Sequence, residues 1–293
     1  MENIKIKGFH DLSINAYIIE PKGKTKGIIQ IIHGMQEHAT RYEQFMKFLA
    51  QNGYIAFASD LRGHGESVIE NGKYGYGETD IFEEIIQDQQ IIYRYLKGKY
   101  KLPVYVFGHS FGSFITQRFM QVNPEIKKFV VCGTTDGSKM LYKFGKLISS
   151  FYITKKSKSQ SAKLIESMSL KSYAKKFDRG NWLSRDESVW DKYQADPLCG
   201  QSFPVSFYQS MFYHMNKLNS GIKQIRSDTK IFLIAGNQDP VGNYGKYVNS
   251  LYAKYMNAGK DAQIKLYNGA RHELLNETNK EEVFSDILKF FNE

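Results

Sequence analysis

Apolar positions along the chain fall into two rhythms. Short runs at 28–32, 54–58, 104–107, 128–132 and 230–236 are too brief for helices and rich in β-branched or aromatic residues. Runs of that kind mark strands buried on both faces of a parallel sheet. Between them the spacing changes to three and four. Tyr42, Phe45, Phe48 and Leu49 share one face of a helix over 41–52, and Ile81, Ile85, Ile92 and Leu96 one over 81–97; Gly53 and Gly98 are the expected stops. Phe114, Ile115, Phe119 and Met120 repeat the pattern after residue 112. Strands are also expected over 1–7, 15–20 and 263–267, and helices over 246–257 and 281–291. Strand, turn and helix repeated this often predict a parallel sheet with helices on both faces. The alternation breaks from 136 to 228, where helical patterns interrupted by Pro197 and Pro204 replace strands. Residues 137–228 therefore read as a helical cap inserted between two parts of one core, 1–136 and 229–293.

Ligands of such sheets bind beyond the carboxyl ends of the strands. At one of those ends stands Gly108-His109-Ser110-Phe111-Gly112, a Gly-x-Ser-x-Gly between a strand and a helix. That context holds a serine on a sharp turn at a helix N-terminus, where outward-facing amides favour negative charge developing on a substrate carbonyl. A serine hydroxyl needs a base, and the base a carboxylate to orient it. In folds of this pattern the order is Ser, then Asp or Glu, then His. Asp239 follows the run 230–236 and His272 follows 263–267, so both fall at the same edge as Ser110. Asp239 is equally suited to open a turn before Pro240, and Glu273 is the nearest competing carboxylate. His33, His38, His64 and His109 come too early in the chain to be that base, although His38 and His64 stand in loops that line the same edge. The amides of Phe111 and of Met35, after His33-Gly34, are the expected donors to an oxyanion.

Composition changes the picture in one place. At 42% hydrophobic and 24% charged, the 293 residues are ordinary for a soluble globular protein. The N-terminus lacks a secretory apolar core and no stretch is long enough for a membrane span, so a cytoplasmic location is expected. Cys132 and Cys199 read as inert thiols, with neither a disulfide nor a metal site expected. The net charge of +10, however, is confined to residues 137–230, which hold 17 basic and 7 acidic residues while the remainder holds 23 of each. Within that segment Met140, Leu141, Phe144, Leu147, Ile148, Phe151 and Tyr152 fall on one helical face, ringed by lysines. Such a helix either lies on an anionic lipid surface or roofs the site with its lysines solvated, and we favour the roof. Phe203, Phe207, Tyr208, Phe212 and Tyr213 suit an acyl chain and suit a core equally. The lysines are scattered on an aromatic segment, and no nucleic-acid-binding motif is visible.

His33-Gly34-Met35-Gln36-Glu37-His38 with Arg41-Tyr42, the Asp60-x-Arg62-Gly63-His64-Gly65-x-Ser67 loop, Gly108-His109-Ser110-Phe111-Gly112, Asp239 and His272 together resemble the monoacylglycerol lipase and lysophospholipase branch of the α/β-hydrolases, also grouped with serine aminopeptidase-like hydrolases. The resemblance runs from about residue 13 to 291. It implies an α/β-hydrolase fold with a mostly parallel eight-stranded sheet, helices on both faces and an inserted cap. By resemblance Ser110, Asp239 and His272 form a catalytic triad, and Met35 and Phe111 supply the oxyanion amides. His38, His109, Phe144 and Phe207 are the substrate-binding candidates. Met35 stands where relatives often carry glycine or alanine, which implies a narrower acyl pocket. The expected activity is hydrolysis of esters of a single-chain lipid, monoacylglycerol or lysophospholipid, through an acyl-enzyme and without metal or cofactor. A short-chain carboxylesterase, an aminopeptidase-like hydrolase and a non-catalytic binder of the same fold are the alternatives. Oligomeric state is left open.

Overall fold

The structure is a computed structural model, and it describes residues 1–68, 73–136, 160–168 and 173–293. The strands are β1 (Glu2–Lys7), β2 (Ser13–Ile19), β3 (Gly27–Ile32), β4 (Tyr54–Ser59), β5 (Val104–His109), β6 (Lys128–Cys132), β7 (Lys230–Gly236) and β8 (Asp261–Tyr267). They form one sheet in the order β1-β2-β4-β3-β5-β6-β7-β8. β1 and β2 pair antiparallel, as do β2 and β4, and every pairing from β4 through β3 to β8 is parallel. This is the expected mostly parallel eight-stranded sheet.

The continuous apolar runs are explained by what covers each face. Ile28 and Ile32 of β3 join Phe57, Val106, Phe129 and Leu233 on one face, under α2 (Ile81–Tyr100), α3 (Phe111–Val122) and α7 (Lys246–Asn257). Ile29 and Ile31 join Ala56, Phe107, Val130 and Ile234 on the other, under α1 (Glu43–Gln51) and α8 (Lys280–Asn292). Gln30, the polar residue inside that run, is fully buried, and its amide donates to the side chain of Gln89 on α2 at 2.8 Å. Between β6 and β7 the described α-helices are α4 (Lys163–Met168), α5 (Glu187–Ala195) and α6 (Val205–Leu218), with an isolated bridge between Ser161 and Pro204. α6 buries Phe207, Tyr208, Met211 and Met215 and leaves Tyr213 exposed. The amphipathic segment around Phe144 lies outside the described residues.

One helix end departs from expectation. α2 continues past Gly98 to Tyr100 and is closed by Lys101, which takes the left-handed conformation (φ 55°) and donates its N–H to Lys97. The residue before a proline is barred from helical geometry, so Pro103 rather than Gly98 fixes where this helix must stop. Among the described residues no helix is long and apolar enough to cross a membrane.

Candidate active site

The loops that leave the carboxyl ends of β3, β5, β7 and β8 bring Met35, Ser110, Asp239 and His272 to one edge. Ser110 sits between β5 and α3 with φ 52° and ψ −120°, a conformation that costs a residue with a Cβ of order 1–3 kcal/mol. Two glycines make the turn possible. A Cβ on Gly108 would lie 2.0 Å from Thr116 Oγ1, and one on Gly112 would lie 2.2 Å from the carbonyl oxygen of Ile32. Helix and strand thus approach more closely than any side chain allows, which explains the spacing of the motif.

His272 is buried, and its Nδ1 lies 2.9 Å from Asp239 Oδ2. The other carboxylate oxygen accepts the N–H of Val241 at 2.8 Å, which fixes the orientation of the Asp239 side chain. Nδ1–H therefore donates to the carboxylate, and Nε2 is the acceptor nitrogen. That Nε2 is buried with no hydrogen-bond partner, and no hydrogen bond joins it to Ser110 Oγ among the described residues. His272 is nevertheless held beside the serine turn. Its ring lies 4.8 Å from that of His109, and its carbonyl oxygen is 3.2 Å from His109 Nε2. Trp182, which the sequence pattern did not single out, packs over the imidazole at 4.9 Å. Glu273, the competing carboxylate, points elsewhere, into an ion pair with Arg41.

The loop after β3 is locked by hydrogen bonds that leave the amide of Met35 out. Leu61 N–H donates to His33 Nε2 at 2.9 Å, so His33 Nδ1–H must donate to Gly34 O at 2.7 Å. Burial pushes His33 below its ordinary value and keeps that tautomer uncharged. Gly34 N–H donates to Glu37 Oε1 at 2.6 Å. Among the described residues the N–H groups of Met35 and of Phe111, the first residue of α3, enter none of the turn or loop hydrogen bonds.

Beneath this edge lies a buried charge network. Glu37 accepts from Gly34 N–H, Tyr42 Oη and Arg41, and Arg41 forks onto both oxygens of Glu273 at 2.7 Å. His109 completes it: Nδ1 faces Glu37 Oε1 at 3.2 Å and Nε2 faces the His272 carbonyl. Both partners accept, so the two contacts are satisfied together only when both nitrogens carry protons, the imidazolium form. Burial opposes that charge, but the hydrogen bond to Glu37 and its negative charge outweigh burial and raise His109 above its usual range. The same contacts hold Glu37 well below the usual carboxylate range despite its burial. Two carboxylates thus face two cations, and the set spans the loops of Met35, Ser110 and His272. Arg41→Met should leave two like charges buried with one cation between them and destabilise the protein by about 3–5 kcal/mol in denaturant unfolding. Adding Glu273→Gln should recover part of that loss, and equal losses in the single and double variants would refute the coupling.

His38 Nε2 pairs with Asp196 Oδ2 at 2.8 Å. Phe207 is fully buried and packs on Phe111 at 5.0 Å, and Phe144 lies outside the described residues. His64 is buried against Phe111, Phe203 and Phe207, and burial pushes it down to about 3, so it is neutral. The rest of its loop is structural. Asp60 accepts the N–H groups of Ala39 and Glu66, and fully buried Arg62 pairs with Asp88 at 2.9 Å.

The sequence model of the serine aminopeptidase S33 family matches residues 23–279. The chain belongs to that family. As a member it is a serine hydrolase of α/β-hydrolase fold. An uncharacterized abhydrolase domain-containing protein of Dictyostelium discoideum is 26% identical over 93% of this chain, and the chain spans 27% of that longer protein. The monoglyceride lipase of Rattus norvegicus is 24% identical over 93% of this chain and 83% of its own length. The crystal structure of a thermostable carboxyl esterase from Bacillus coagulans superposes with a TM-score of 0.91 at 23% identity, covering 99% of this chain and 97% of that one.

Proposed function

We propose that this hydrolase cleaves carboxylic esters of single-chain lipids, monoacylglycerol or lysophospholipid, with Ser110 as nucleophile, His272 as base and Asp239 as its orienting carboxylate. The observation that carries this reading is the His272 imidazole, held by Asp239 at 2.9 Å with its other nitrogen buried and unpartnered beside the strained serine. In the reaction, Ser110 Oγ attacks the ester carbonyl and His272 Nε2 takes its proton. The oxyanion is met by the amides of Met35 and Phe111, each such donor being worth about 3–4 kcal/mol. Collapse expels the alcohol, which receives the proton from His272, and water repeats the cycle on the acyl-enzyme. The serine–histidine contact is often loose in a free enzyme and tightens with substrate. We assign residues 137–228 as the cap over this edge; their lysine excess suits transient contact with an anionic lipid surface.

The acyl preference is supported by the name of the Rattus norvegicus relative and by the aromatic residues of α6. An aminopeptidase must neutralise a substrate ammonium. Two buried carboxylates beside the serine turn, Glu37 and Glu273, are already matched by Arg41 and His109, and Asp239 is held by His272, which argues for an uncharged ester instead. The test is a panel of p-nitrophenyl esters of rising chain length beside a monoacylglycerol, a lysophospholipid and an aminoacyl amide. We expect kcat/KM to rise by up to about fourfold per methylene until the pocket is filled, from about 0.8 kcal/mol per buried CH2. Highest activity on acetyl esters would move the assignment to a short-chain esterase, and on the amide to a peptidase.

A further inference from the structure

Among the described residues, one group of His, Cys and Asp brings three possible metal-ligand atoms within 4.8 Å of one another: His38, Asp196 and Cys199. Asp196 and His38 are 158 residues apart in the chain, so nothing in local spacing announces the group. The three come from two segments already docked on each other. Gly200 N–H donates to the Gln36 carbonyl at 2.9 Å, and Tyr193 Oη donates to the same oxygen at 3.2 Å.

We propose that His38, Asp196 and Cys199 bind a zinc-class divalent cation that fastens the segment after α5 onto the loop carrying Met35. The donor set is imidazole nitrogen, carboxylate oxygen and sulfur, the mixture that borderline cations such as Zn2+ accept in tetrahedral sites with water as the fourth ligand. The supporting contacts are in place. His38 Nδ1 lies 2.9 Å from Thr40 Oγ1, so with Nε2 on the cation Nδ1–H donates to that hydroxyl. Asp196 Oδ1 accepts the N–H of Leu198 at 2.9 Å, which leaves Oδ2 directed at the cluster. Today Oδ2 lies 2.8 Å from His38 Nε2, and two ligands of a tetrahedral zinc stand about 3.3 Å apart, so the pair need open by only about 0.5 Å. Binding breaks the Cys199 S–H bond and releases that proton to solvent, and it breaks the His38 Nε2–H bond that now faces Asp196 Oδ2, the imidazole proton moving to Nδ1; sulfur and Nε2 then bond the metal. Asp196 is partly exposed and gives the ion its way in, whereas His38 and Cys199 are buried.

Co2+ titrated into the purified, tag-free protein should give a thiolate-to-cobalt charge-transfer band at one equivalent, and Zn2+ should displace it and raise the thermal midpoint. The chain has two cysteines, so Cys199→Ser should abolish the band while Cys132→Ala keeps it. Asp196→Asn, which changes a partly exposed side chain, should weaken Zn2+ binding more than tenfold and carries the test if Cys199→Ser does not fold. A wild-type protein without the band, a band that survives Cys199→Ser, or Zn2+ affinity unchanged in Asp196→Asn would overturn the proposal.

Discussion

Ser110→Ala should lower kcat on a monoacylglycerol by about 10^5–10^6-fold with KM little changed, because the hydroxyl takes part in the reaction and not in ground-state binding. What remains should be the modest catalysis of oxyanion donors and binding alone. The variant should fold normally. Alanine carries the same Cβ through the strained turn at φ 52°, and Ser113 Oγ bonds the backbone carbonyl of Ser110, which the substitution keeps. Adding His272→Ala should cost little more, since the two residues act as one unit. Labelling by a fluorophosphonate should vanish with the hydroxyl. Turnover above about a hundredth of wild type, on the scale of those losses, would show that another group attacks the ester and would remove Ser110 from the mechanism. Normal folding with neither labelling nor turnover in the wild type would instead make this chain a binder that kept the fold.

The sheet and the serine turn were legible because both rest on local physics. Apolar runs of five or six residues report burial on two faces, and Gly108 and Gly112 report a close approach of helix and strand. The order of Ser110, Asp239 and His272 could be read because each follows a strand of a parallel sheet, and parallel strands put their carboxyl ends together. Contacts set by tertiary packing were not legible. Arg41 meets Glu273 across 232 residues of chain, and no periodicity marks either as half of an ion pair. Trp182 lies in a segment without repeating pattern, yet it packs on His272. The loop 60–67 was visible as a motif, but its work is to clamp backbone and to bury Arg62 against Asp88. The end of α2 was misplaced at Gly98 because an exposed glycine inside a helix is tolerated at a cost of about 1 kcal/mol, while Pro103 imposes a steric limit.

Asp239→Asn should separate the orientation of the base from its presence. Asparagine can keep its oxygen on the Val241 N–H, which puts its amino group where Asp239 Oδ2 now accepts from His272 Nδ1. Two donors would then face each other unless the imidazole moves its proton to Nε2. That tautomer relieves the clash but cannot accept a proton from Ser110, so kcat should fall about 10^4-fold at neutral pH with the fold intact. Stability should move the other way. Asp239 is fully buried, and the imidazole of His272, with Nε2 as its acceptor nitrogen, gives it a hydrogen bond and no countercharge. Removing a buried charge that has hydrogen bonds but no cation to balance it spares its desolvation, so the denaturation midpoint should hold or rise while turnover collapses. Kinetics and urea unfolding on the same preparation read both effects. A variant that loses stability and activity in parallel would mean that Asp239 merely braces the loop after β7. One that keeps more than about a tenth of wild-type turnover, against the loss expected for a misdirected imidazole, would mean that His272 takes its orientation from elsewhere, the His109 bond to its carbonyl and the Trp182 ring being two contacts among the described residues able to supply it.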